Sequence, residues 1–193
     1  MGVSLAETIG VLFGIAGVWL TIRRHIWCWP VGLVNVGLFA FVFFHARLYG
    51  AAVLQLVYVV ISLYGWYRWR HPGPNLRELP ISWTPWRWWG GLGAAGVLLT
   101  VALGLFLRWR TDAVLPFLDA ATTSFSLVAQ WQTARKWIDN WLVWIAVDLI
   151  YIGMYLSQHL YPTAILYAVF LILAVLGFRE WRRSIAEPEK SWI

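Results

Sequence analysis

Seven long apolar stretches, at residues 3–22, 29–45, 49–67, 88–107, 114–133, 140–158 and 161–178, run almost unbroken by charge. Each is close to the roughly 20 residues that an α-helix needs to cross the hydrocarbon core of a bilayer. A water-soluble helix would carry a charged and polar face through such a stretch, whereas here the apolar positions come in long runs and not at amphipathic spacing. The chain is 61% hydrophobic and 12% charged, whereas a soluble domain carries about 25% charged residues. With no water to satisfy the backbone, a lipid-embedded chain must close its own hydrogen bonds, and no β-barrel alternation competes with the helical reading. The expected fold is therefore an all-α membrane protein with seven transmembrane helices. The segment Met1–Glu7 has no basic region and no small-residue cleavage signal precedes Arg23-Arg24, so the first stretch is expected to be retained. Pro72, Pro74, Pro80 and Pro85 deny helical continuity to the long connection from Arg68 to Arg87.

With seven spans, the connections alternate between two sides. One side carries Arg47, Arg108 and Arg110. The other carries Arg23, Arg24, Arg68, Arg70, Arg77, Arg87, Arg135, Lys136, Arg179, Arg182, Arg183 and Lys190, a split of 12 against 3. The positive-inside rule then predicts an outer N-terminus and a cytoplasmic C-terminus. These charges sit in short connections and form no basic stripe, so the net charge of +6 is a topology signal and not a nucleic-acid footprint.

Sliding the sequence against itself lays 13–70 over 125–182 without a gap. Trp19 meets Trp131, Arg23 meets Arg135, Trp29 meets Trp141, Leu48-Tyr49 meets Leu160-Tyr161, Gly65 meets Gly177 and Trp69-Arg70 meets Trp181-Arg182. Chance matching of apolar runs does not repeatedly align tryptophan, glycine and arginine. The register predicts two parallel three-helix repeats joined by a connector helix, a 3+1+3 plan. The expected divisions are 1–69 for the first repeat, 70–112 for a cytoplasmic loop and connector, 113–182 for the second repeat and 183–193 for a cytoplasmic tail. Parallel repeats of this kind belong to transporters, with a substrate site near the midplane at the repeat interface.

Polar side chains in hydrocarbon are costly and point to function. Asp119, Thr122, Thr123, Ser126 and Gln130 share one face of the fifth span; Trp141, Trp144, Asp148, Tyr151 and Tyr155 form a stripe on the sixth. The third span offers Gln55, Tyr58 and Ser62, and the second offers Asn35. Asn35, Gln55, Tyr58, Ser126, Gln130, Trp141, Trp144, Asp148 and Tyr151 are the candidate substrate residues. Thr122, Thr123 and Ser126 are equally readable as interhelical packing positions, and Trp141 as an interfacial anchor. Trp19, Trp27, Trp66, Trp69, Trp83, Trp86, Trp88, Trp89, Trp109 and Trp181 are read as the aromatic belt. Asp148 lies about 12 Å from the inner end of its span, near mid-bilayer. Asp119 is shallower, and its partner under the shift is Glu7, which makes both acids gating or structural candidates. Under the same shift Ser126 and Gln130 become Gly14 and Val18, Trp144 becomes Gly32 and Asp148 becomes Val36, so the polar stripe exists in one repeat alone. Such lopsided walls suit an asymmetric ligand: tryptophan faces for a flat cation, and Asn, Gln and Asp for hydroxyls.

Other classes fit less well. His25, His45, His71 and His159 lie at span ends or in connections, so no serine has a membrane-embedded base and no catalytic residue is assigned. Cys28 is the sole cysteine, and no His or Cys pair has ligand spacing within a span, so neither metal nor cofactor is expected. Ion-coupled uptake through Asp148 is an alternative.

Trp29-Pro30-Val31-Gly32-Leu33-Val34-Asn35, Leu48-Tyr49-Gly50 through Gln55 to Tyr64-Gly65-Trp66-Tyr67, and Gln130-Trp131-Gln132 through Arg135-Lys136 to Trp141, Trp144 and Asp148 resemble the PnuC-type vitamin transporters. The likeness covers nearly the whole chain apart from 70–87 and the last dozen residues. It implies two parallel three-helix repeats around a central helix, similar in plan to the sugar-transporting SWEET proteins, in an assembly that is often a homotrimer. It also implies facilitated diffusion of nicotinamide riboside, with trapping by a cytoplasmic kinase that phosphorylates the substrate; relatives are assigned to thiamine or riboflavin. Membrane lipid and a small vitamin are then the partners, with no nucleic acid. A phosphorylated mononucleotide is expected to be rejected, because no lysine or arginine lies deep in any span.

Overall fold

The computed structural model describes residues 2–45, 49–73, 78–111 and 114–186. Arg47, Leu48, Arg77, Lys190 and the tail from 187 onward lie outside the described residues, as does the side chain of Glu7. Among the described residues seven helices follow in order: α1 Gly2–Ile22, α2 Cys28–His45, α3 Tyr49–Arg70, α4 Trp86–Arg110, α5 Pro116–Ala134, α6 Asn140–Ser157 and α7 Tyr161–Ala186. By length and composition α2, α4, α6 and α7 are each able to cross a membrane.

Most ends fall within a few residues of the apolar stretches. The exception is α7, which continues to Ala186. The added turns of α7 are amphipathic: Trp181 is fully buried while Arg179, Arg182 and Arg183 face outward. Basic side chains there also complement the negative end of the helix dipole. On α4, Trp86 and Trp109 are 82% and 75% exposed, about 35 Å apart along the axis. With Leu98, Val101 and Phe106 exposed between them, they suit the two edges of a hydrocarbon layer about 30 Å thick. Trp69 and Trp181 correct the belt assignment: both are buried. Their rings serve helix packing instead.

The chain divides into two compact units, Met1–Pro80 with Ala134–Lys136, and Ile81–Thr133 with Trp137–Ile193. In the first, α2 packs on both α1 and α3. Helices in lipid gain little from apolar burial, so contact depends on close fit and on interhelical hydrogen bonds. Gly10 supplies the fit: a Cβ there would stand 3.0 Å from the Phe39 ring. Asn35 Nδ2 supplies the bond, donating to the Gly10 carbonyl at 2.6 Å. Trp29 sits edge-on to Trp69, centroids 5.3 Å apart at 89°, and its ring occupies the space where a side chain on Gly65 would be. In the second unit α6 packs on α7. Trp141 sits edge-on to Trp181 at 5.4 Å and 87°, over Gly177, where a Cβ would stand 2.6 Å from the ring. Phe117 and Phe125 of α5 fill the space beside Gly104 and Gly96 of α4.

The turns that end α1 and α5 share one hydrogen-bond pattern. Thr21 Oγ1 donates to the Gly17 carbonyl at 2.8 Å and Thr133 Oγ1 to that of Ala129 at 2.9 Å. The amide of His25 reaches Leu20 O, and that of Trp137 reaches Gln132 O. Arg24 and Lys136 both take left-handed backbone, φ 59° and 53°, a conformation that ends a helix and is uncommon outside Gly and Asn.

A short segment before α4 lies along the second of these turns. Ser82 pairs with Trp137 in an isolated parallel bridge, and its carbonyl accepts the Ile138 amide at 2.9 Å. The Thr84 amide donates to Asp139 Oδ2 at 2.5 Å, and Gln132 Nε2 donates to Thr84 Oγ1 at 3.2 Å. In the first unit, Lys136 Nζ lies 3.5 Å from Glu78 and 4.5 Å over the Trp69 ring. Burial holds the Lys136 ammonium below the usual lysine range, and the Glu78 carboxylate acts against that shift.

Candidate functional site

The second unit gathers most of the polar stripe. On α6 the spacing 144, 148, 151, 155 puts Trp144, Asp148, Tyr151 and Tyr155 on one face. Trp144, Tyr151 and Phe125 pack around Ala129, Val143 and Val147, and this apolar floor fixes the two aromatic side chains. Asp148 is 4% exposed. Its carboxylate makes no hydrogen bond or ion pair among the described residues; Tyr167 of α7 is its electrostatic neighbour. A carboxylate buried without a counter-charge is costly. A cation arriving from outside the protein would remove that cost.

Three tyrosines cluster beyond Asp148. Tyr151 and Tyr155 stack with centroids 5.8 Å apart at 19°, and Tyr167 lies 4.4 Å from the first and 5.4 Å from the second. From α5 come Thr122 and Thr123, whose side chains interact with the Tyr151 phenol, and Asp119, which interacts electrostatically with both Tyr151 and Tyr155. Thr122 Oγ1 also donates to the carbonyls of Leu118 and Asp119, each at 3.0 Å. Ser126, one turn further along α5, is buried.

The remaining candidates are placed as follows. Gln130 is half-buried on α5 and holds a polar contact of its own. Trp141 is buried in its Gly177 and Trp181 seat, with an indole N–H that finds no partner among the described residues. In the first unit Asn35 is half-buried on α2 and engaged with Gly10 through its amide nitrogen. Gln55 and Tyr58 are half-buried on α3. Tyr167 is absent from the sequence-based set. It stands alone in an apolar run, but the internal shift makes it the counterpart of Gln55, and that register was the available signal.

Comparison with known proteins gives the arrangement a context. The family described as nicotinamide mononucleotide transporter matches residues 4–183. The nicotinamide riboside transporter PnuC of Escherichia coli (strain K12) is 29% identical over 95% of this chain and 87% of its own. The riboflavin/roseoflavin transporter RibM of Streptomyces davaonensis is 28% identical, covering 91% of this chain and 84% of its own. The PnuC of Neisseria mucosa is 26% identical over 94% of this chain and 73% of its own. A crystal structure of the vitamin B3 transporter PnuC superposes with a TM-score of 0.75 at 26% identity, covering 95% of this chain and 83% of that one. This multi-pass bacterial membrane protein thus belongs to the nicotinamide mononucleotide transporter family, a family of membrane transporters that includes the PnuC proteins.

Proposed function

We propose that the protein carries nicotinamide riboside into the cell by facilitated diffusion, through alternating access around a site near the bilayer midplane. The observation that carries the reading is Asp148: a buried carboxylate without a counter-charge among the described residues, in mid-helix, with Trp144 and Tyr151 on the same face. A flat pyridinium ring answers both features, through charge and through cation–π attraction worth about 2 kcal/mol when desolvated. Ser126 and Gln130 are suited to the hydroxyls of a ribose. Phosphorylation by a cytoplasmic kinase would trap the product, and we assign the N-terminus to the outside and the C-terminus to the cytoplasm on the charge split of the connections. A homotrimer is the assembly proposed.

The family description names the mononucleotide. The mononucleotide adds a phosphate, and the helices of the second unit set no lysine or arginine beside Asp148 to receive one. Riboflavin is the second reading, favoured by the similarity to RibM, but its uncharged ring leaves Asp148 without a cation. Calorimetric titration of the purified protein with nicotinamide riboside, its mononucleotide, thiamine and riboflavin tests the choice. Binding of the riboside with rejection of the mononucleotide is expected; tighter binding of riboflavin or thiamine overturns it. Uptake that persists after collapse of the proton and sodium gradients is expected, and loss of uptake would replace facilitated diffusion by coupling through Asp148.

A further inference from the structure

Two carboxylates flank a triangle of three tyrosines, Tyr151, Tyr155 and Tyr167, whose centroids are 4.4–5.8 Å apart. Asp148 lies one turn from Tyr151 and is the neighbour of Tyr167. Asp119 interacts with Tyr151 and Tyr155. Along α6, Tyr155 is about 10 Å from Asp148 towards the helix end, and Asp119 lies in the first turn of α5. A first-turn aspartate complements the helix dipole, but that role requires neither stacked aromatic rings nor a second unpaired acid below them. Neither carboxylate has an ion pair or hydrogen bond among the described residues, and Asp148 is more than nine-tenths buried. An acid thus stands beside the tyrosine triangle twice along α5 and α6. A single pocket would need it once; a cation moving past the triangle would meet it twice.

We infer that Asp119, with Tyr155 and Tyr151, forms an outer binding station for a flat monocationic ring, which holds the substrate before it passes the tyrosine triangle to Asp148. The inference rests on the riboside reading and on the proposed orientation. The carboxylate attracts the positive ring, the phenol faces hold it by cation–π contact, and the hydroxyls of Thr122 and Thr123 line the way. Asp119 governs the rate of entry of a charged substrate, whereas Asp148 governs the affinity of the inner site.

The test uses the full-length protein in liposomes, with nicotinamide riboside and its uncharged 1,4-dihydro form as paired substrates. Asp119→Asn is expected to lower initial uptake of the cationic form about tenfold at low concentration. Calorimetric affinity for that form is expected to stay within about twofold of the unaltered protein. Uptake of the dihydro form is expected to be unchanged. Tyr155→Leu, which removes a ring face without touching a charge, is expected to slow the cationic form about threefold, and it decides the matter if Asp119→Asn does not fold. Unchanged uptake of the cationic form overturns the station. So does an equal loss for both forms, which marks a packing role, or a loss of affinity as large as that of Asp148→Asn, which makes Asp119 part of the inner site. Absence of riboside uptake by the unaltered protein overturns the riboside reading itself, and that result is read without any variant.

Discussion

At Gly10 and Phe39 two helices meet through a ring pressed on bare backbone; at Thr122 and Tyr151, their counterparts under the internal shift, a hydroxyl meets a hydroxyl. The difference extends along both helices. Phe39 and Phe43 have centroids 5.8 Å apart, as have Tyr151 and Tyr155, but only the second pair carries phenols. Val36 stands in the first unit where Asp148 stands in the second. Meanwhile the seats of Trp29 and Trp141 nearly coincide in their edge-on contacts, 5.3 Å and 89° against 5.4 Å and 87°. The lesson is that packing devices are shared and polar chemistry is not.

The shared devices offer the largest effects. Gly65→Ala and Gly177→Ala each push a methyl into an indole ring, and each is expected to cost about 2 kcal/mol or more of stability. Thermal unfolding in detergent checks this, and a loss at only one glycine breaks the equivalence. Next comes the divergent pair. Asp148→Ala is expected to weaken riboside binding about 30-fold, or about 2 kcal/mol, while Val36→Ala changes calorimetric affinity by less than about twofold. Trp144→Ala is expected to follow Asp148→Ala, with the exposed Trp86→Ala as the indifferent control; equal effects from all three would reduce the stripe to packing. Smaller still, Asn35→Ala removes the bond to Gly10 and is expected to lower stability by about 0.6 kcal/mol, the average for such bonds in membranes.

The smallest effect concerns Lys136. Its folded-state pKa is below that of the unfolded chain because of burial. Between those two values the folded protein holds fewer protons, so stability rises with pH across that window. Glu78→Gln takes away the opposing attraction, lowers the folded value further and widens the window. The variant is therefore expected to be less stable than the unaltered protein at neutral pH, and to recover part of the gap as pH approaches the ordinary lysine range. Thermal melts across that range check it; a gap that does not change with pH means Lys136 is not the group responsible.

Much of this was legible before any coordinates. The helices followed from apolar runs of spanning length, the break between α3 and α4 from its prolines, and the stripe on α6 from a three-and-four spacing that lipid does not tolerate without a reason. Three things were not. The segment from Ser82 to Thr84 has no periodicity, because its register is set by single hydrogen bonds to Ile138, Asp139 and Gln132. Trp69 and Trp181 look like anchors from position alone, since a tryptophan beside a terminal arginine is ambiguous until its glycine-backed neighbour is known. Tyr167 lies in an apolar run of α7; the internal register pairs it with Gln55, but its place among the site residues shows only in the ring contacts with Tyr151 and Tyr155.

The Trp–Gly seats bear on how such a carrier acquires a new cargo. Trp29 with Gly65 and Trp141 with Gly177 bind helix to helix through residues other than Asp148 and the tyrosines, so these two joints stand apart from the acid and phenol wall. A lineage can then rewrite the tyrosines and acids of one unit, and so exchange one vitamin for another, while the joints that keep the helices in register are inherited unaltered.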